Sequence, residues 1–197
     1  MKKSILIAIL ALSLFSLGTL VHAAAYTDGA AFYSGGYDDR SVYKNIKYYV
    51  PSDANTDYGK YIQDAISDYT SLGLNFGFSK TTSVQDADLM IFKTKQSPAY
   101  NGMPGIMLPC DWSGSNCNYV GYETFWDAAT ILLFSDWIQD NRLSGAQINK
   151  VVVHEFGHVY SLKHQDDKTV QSVMVTGEQV PYTSPTELDI ANLKWRY

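Results

Sequence analysis

The residues best suited to chemistry are His154, Glu155 and His158. Four-residue spacing on a helix puts both imidazoles on one face, about one turn apart. From there they can share one Zn2+ ion at about 2.0–2.1 Å. Glu155 is rotated off that axis and is placed to act on a metal-activated water rather than to ligate. A five-residue pattern also recurs by chance in helices, so the bland alternative is two ordinary histidines beside a surface glutamate.

Three further features favour the metal. His164 follows His158 by six residues and can return as a third ligand once the helix has ended. The chain holds four histidines, and the fourth, His22, lies in an N-terminal stretch read below as a removable leader. The mature chain would then keep its histidines only within the eleven positions of this cluster. Met174 follows His164 by ten residues, inside the short segment Ser172, Val173, Met174.

These side chains need elements to carry them. Ser144 followed three residues later by Gln147 is a capping box, which predicts a helix running through Ile148 and the valines at 151–153 into the histidines. Residues 46–50 read as a strand ended by Pro51. A helix follows over 57–72, with Tyr58, Tyr61, Ile62, Ala65, Ile66 and Tyr69 on one face. Residues 74–78 and 89–92 read as two more strands, which predicts a mixed sheet with a crossover helix. Ile106, Met107 and Leu108 form a short strand candidate between Pro104 and Pro109, and those prolines argue for an edge. Residues 129–134 read as a further strand. Ser184 with Glu187 reads as a second capping box, Pro185 at the first helical position, opening a last helix. The segment up to Ser41, rich in Gly, Tyr and Asp, reads as an irregular lead-in.

The 197 residues suit one domain. Met1, Lys2 and Lys3 form a positive head, residues 4–21 are uncharged and largely apolar, and Ala23 to Ala25 are small. That order predicts a secretory signal peptide over residues 1–25, cut after Ala23 or Ala25. An uncleaved anchor is the alternative, since the run is long enough to span a thin bilayer. The domain would then cover residues 26–197. Loss of Lys2 and Lys3 leaves 13 basic residues against 20 acidic ones, a formal charge of −7 against −5 for the whole chain. Such an acidic chain offers no electrostatic footprint for nucleic acid or an anionic membrane. The expected partner is a protein or peptide substrate, met by a secreted monomer. Cys110 and Cys117 flank a short Gly/Ser/Asn loop, and outside the cytoplasm such a pair most often forms a disulfide. A metal site is the alternative, although no histidine stands nearby, and a regulatory thiol is another.

Residues 154–164 together with Ser172, Val173 and Met174 resemble the metzincin clan of zinc metallopeptidases, and most closely its matrixin-type branch. The order of elements extends the likeness over most of residues 43–197, with 95–128 matching least. The resemblance implies an α+β zincin fold with a twisted mixed five-stranded sheet and three helices. It implies one catalytic zinc on His154, His158 and His164, with Met174 in a Met-turn as apolar floor. Glu155 would act as general base and then return the proton to the leaving amine. The edge near Gly105, Ile106, Met107 and Leu108 would bind an extended peptide by strand addition, or equally be an ordinary protected edge. Segment 175–183 would wall a specificity pocket. Tyr182 within it would line that pocket or assist the oxyanion, or simply pack as a loop tyrosine. Calcium is a further expectation from the clan.

Two departures bear on this likeness. Ser161 stands where the clan usually has Gly, at a sharp turn. Thr176 stands where astacin-like and serralysin-like members carry a zinc-binding Tyr, which disfavours those branches. The function expected is secreted, zinc-dependent endoproteolysis of extracellular proteins. The competing expectation is a secreted binding or inhibitory protein that keeps the fold without turnover, and Glu155 favours the enzyme.

Overall fold

A computed structural model describes residues 25–177 and 181–197. Residues 1–24 of the expected leader and residues 178–180 of the expected pocket wall lie outside the described residues.

Eight strands and four α-helices occur among the described residues, and the architecture is mixed α+β. The strands are β1 (Gly36–Tyr37), β2 (Ile46–Tyr49), β3 (Phe78–Lys80), β4 (Leu89–Thr94), β5 (Gly105–Ser113), β6 (Asn116–Tyr119), β7 (Phe125–Trp126) and β8 (Ala128–Phe134). The helices are α1 (Ser52–Thr70), α2 (Ser135–Asp140), α3 (Gly145–Val159) and α4 (Glu187–Arg196). Six strands make the main sheet in the order β3, β2, β4, β8, β5, β6, while β1 and β7 form a small parallel pair. β3, β2, β4 and β8 run parallel, and β5 is antiparallel to both β8 and β6.

Helix α1 is the crossover between the parallel neighbours β2 and β3. It buries Ala54, Tyr58, Ile62, Ala65 and Tyr69, whose three- and four-residue spacing makes one apolar stripe. That stripe packs on α3, which buries every residue from Lys150 to Val159. A Cβ on Gly105 would lie 3.1 Å from the Val151 side chain, so α3 passes closely beneath the start of β5. Among the described residues, no helix is long and apolar enough to cross a membrane.

The mixed sheet and crossover helix agree with the sequence reading, but several details differ. The sheet has six strands rather than five, because the loop between the cysteines is a hairpin. Gly114, at φ 62°, leads its two-residue turn and lets β6 fold back on β5. The described residues hold four α-helices rather than three, since a short helix, α2, follows β8 directly. No strand covers 74–77. Asn75 sits at φ 55° and turns the backbone out of the extended region before β3 begins. β5 does not stop at Pro109, and it is an edge only in its first half, where β6 does not reach. Helix α4 is capped by Thr186 with Asp189 rather than by Ser184 with Glu187, so Pro185 lies outside it.

Cys110 and Cys117 lie within bonding distance across this hairpin. Closing so short a loop stabilises by about 2.5 kcal/mol in the chain-entropy account. The double variant Cys110→Ser/Cys117→Ser is expected to lose about that much stability, read by urea unfolding.

Candidate metal centre

The capping box expected at Ser144 and Gln147 forms, and it fixes where α3 starts and therefore which face the histidines occupy. The helix ends in a Schellman arrangement. The Ser161 amide donates to the His158 carbonyl at 2.8 Å and the Leu162 amide to the Gly157 carbonyl at 3.1 Å. Ser161 itself is left-handed, at φ 62°, in the position such a turn usually gives to glycine. The chain therefore reverses within two residues of the helix, and His164 comes back over His154 and His158.

The three imidazoles converge. Their ring centroids stand 4.8 Å (154 to 158), 5.0 Å (154 to 164) and 4.8 Å (158 to 164) apart. Two tautomers follow from partners that can only accept. His154 Nδ1 lies 2.8 Å from the Val173 carbonyl and His158 Nδ1 lies 2.7 Å from the Leu162 carbonyl. Each Nδ1 therefore carries the proton, and each Nε2 keeps its lone pair for the centre. His158 Nε2 and His164 Nε2 are 3.0 Å apart. The ligand atoms of all three residues lie within 4.8 Å of one another, so the cluster could hold a metal ion. Burial holds all three imidazoles below the usual histidine range, with His158 lowered to about 3, so they are neutral and able to ligate. Among the described residues this is the group of His, Cys, Asp and Glu side chains that could hold a metal.

Glu155 is buried beside them. Burial pushes its carboxyl up to about 7, partly offset by the Met107 amide and the Lys150 ammonium. It lines a cavity of about 260 Å³ together with His154, His164, Lys150, Gly105 and Thr176. A carboxyl with that affinity for protons can take and return one near neutral pH.

Met174 is fully buried under the helix. A Cβ on Gly157 would collide with its Sδ and come within 3.0 Å of the Tyr69 hydroxyl, so the glycine admits the Met174 segment against α3. That segment is held from α4. The buried Asp189 carboxylate accepts from the Ser172 hydroxyl, the Val173 amide at 2.9 Å, and the amide and hydroxyl of Thr186, each at 2.9 Å. Because the Val173 carbonyl receives His154 Nδ1, α4 thereby orients a candidate ligand.

A scan against family models and a search of curated proteins returned no match to this chain.

The other candidates from sequence are placed as follows. Ile106 and Leu108 are half-buried in β5, Gly105 and Met107 are buried, and Gly105 lines the cavity. Tyr182 packs half-buried against the main core rather than lining the cavity. Four contributions escaped the sequence reading. Lys150 lies one turn before His154, buried, and donates to the Val175 carbonyl at 2.8 Å. A cation inside an apolar helical run was its available signal. Asp189 lies in the last helix, α4, and no local pattern marks its role. The lead-in is not merely irregular: Tyr33 donates its amide to the Ser161 carbonyl at 2.9 Å and Lys163 donates its own to Ala31 at 2.8 Å, clamping the His164 loop. Tyr33 and Tyr122 stand beside His158, with ring centroids 6.0 and 6.2 Å from it, and no local pattern marks either.

Two variants probe this support. Asp189→Ala leaves buried donors unanswered and is expected to cost about 3 kcal/mol of stability and to weaken metal affinity, read by denaturant titration and competitive chelation. Ser161→Gly removes the left-handed strain and is expected to add about 0.5–1 kcal/mol with unchanged metal stoichiometry, read by the same unfolding measurement.

Proposed function

We propose that the chain is a zinc-dependent metalloendopeptidase of the metzincin clan, most like its matrixin-type branch, acting on extracellular proteins. The observation that carries this reading is the convergence of three neutral imidazoles on one point with the buried Glu155 at their side. A zinc site that served only as a staple has no need of a buried carboxyl poised to exchange protons. The resemblance of residues 154–174 to the clan supports the branch, and the buried Met174 beneath α3 agrees with a Met-turn.

His154, His158 and His164 would hold the ion, which supplies Lewis acidity toward a peptide carbonyl and toward water. Glu155 takes the proton of the attacking water and returns it to the departing amine, so the two halves of the reaction use one carboxyl. The cavity beside Glu155 accepts a side chain of the peptide and so fixes the scissile bond over the carboxyl.

The purified chain is expected to bind one zinc per molecule by elemental analysis and to cut a broad peptide library, with loss of cleavage in 1,10-phenanthroline. Glu155→Ala should keep the zinc and lose about 10²–10⁴-fold in kcat. His164→Ala should release the metal. A wild type that holds zinc and cuts nothing in the library would replace this reading with a binding protein that keeps the site without turnover.

A further inference from the structure

The first half of β5 offers an added strand one side only. The Phe134 amide donates to the Pro104 carbonyl at 2.9 Å, and residues 105–110 pair in register with 133–128. Alternate residues of an antiparallel pair exchange both bonds, so Ile106 and Leu108 face β8 while Gly105, Met107 and Pro109 face outward. Pro109 thus costs no ladder bond. A peptide laid along this edge would pair with those three residues, with Met107 nearest the reaction because its amide meets Glu155.

Two of the three outward positions are already used by this chain. The Val120 amide donates to the Pro109 carbonyl at 3.1 Å. The Tyr122 hydroxyl donates to the Met107 carbonyl, as the backbone amide of a bound peptide would. Tyr122 is held firmly in that place. Its ring stacks on Tyr33 at 4.7 Å, and its carbonyl takes the Gly35 amide at 3.3 Å. Its neighbour Glu123 accepts from the Ser34 amide at 2.8 Å and pairs with Lys163 at 3.4 Å. A Cβ on Gly35 would collide with the Thr124 carbonyl, so the lead-in and the Tyr122 loop are in closest approach. Burial keeps the Tyr122 hydroxyl protonated, the form that donates. The cavity, in contrast, is lined by residues 102–105 at the other end of this edge.

We propose that Tyr122, braced by Tyr33, is a specificity-determining residue that closes the Pro109 end of the cleft, so that peptides are recognised on the Gly105 side of Glu155. Both strands that pair with β5 run antiparallel to it, and a peptide added in the same sense has the residues before the scissile bond at the Pro109 end. The substrates implied are peptides cut close to their amino terminus or bound by the residues that follow the cut. This inference rests on the peptidase reading.

The test uses two peptide series with the zinc-loaded full chain, one lengthened before the scissile bond and one after it. Lengthening after the bond is expected to raise kcat/KM about tenfold, and lengthening before it to change kcat/KM less than about twofold. In Tyr122→Phe and Tyr122→Ala, lengthening before the bond should become worth about fivefold, mainly through KM, as the Met107 carbonyl is released. A wild type that already gains about tenfold from residues before the bond overturns the proposal, and so do variants with unaltered length dependence. If neither series is cut, the peptidase reading fails by itself. The same peptides are then titrated calorimetrically into zinc-loaded Glu155→Ala, with and without Tyr122→Ala. Their length dependence in Kd then supports or overturns the closed end independently of turnover.

Discussion

Three imidazoles must meet at one point although the third lies beyond the end of the helix that carries the other two. One local event solves the problem. α3 stops at Tyr160, Ser161 takes the left-handed conformation, and Leu162 closes the turn on Gly157. The same reversal presents the Leu162 carbonyl to His158 Nδ1, so the turn that returns His164 also sets the tautomer of its neighbour. Ligand placement and ligand protonation are thus one constraint. The strain at Ser161 costs about 1 kcal/mol and persists because the surrounding contacts leave the chain no other path.

Those contacts come from both sides of the loop. The lead-in pairs with it at Phe32 and Leu162, and the Met174 segment pairs with it from the other flank at Gln165 and Val175. Behind the Met174 segment stands Asp189, which answers several donors that would otherwise be buried unsatisfied. Only the Met174 segment touches a candidate ligand directly, through the Val173 carbonyl beside His154 Nδ1, while the lead-in and Asp189 act one bond further out, on Ser161, Lys163 and Val173. A site that binds through neutral nitrogens relies on such outer partners to hold its lone pairs on target, because the bare donors repel one another.

The sequence shows most of what is local. The capping box at Ser144, the four-residue histidine spacing and the crossover helix all depend on neighbours within a turn or two, and the structure places them accordingly. It shows less where a partner lies far along the chain. Asn75 reads as part of a strand until its left-handed backbone is seen, and Pro109 reads as a terminator until its outward register shows that it forgoes no bond. Asp189 looks like an ordinary residue of an amphipathic helix, because its donors lie up to seventeen positions earlier. Tyr33 and Tyr122 are two among fifteen tyrosines, and nothing local sets them apart.

That division also separates the two halves of the site. The half that could hold a metal is written in one short stretch, and the same stretch with Met174 carries the resemblance to a known clan. The half that would meet a peptide is assembled from β5, the cavity under Gly105, the lead-in and the loop after β6, which are joined only by the fold. A short motif can therefore gather candidate ligands while being silent on what would reach them. Here the silence matters, because the edge next to Glu155 carries a tyrosine hydroxyl on the carbonyl that an incoming strand would use. A net hydrogen bond of about 0.5–1.5 kcal/mol is small beside the barrier to peptide hydrolysis, but under the proposed peptidase reading it would be large enough to decide which end of a substrate is read.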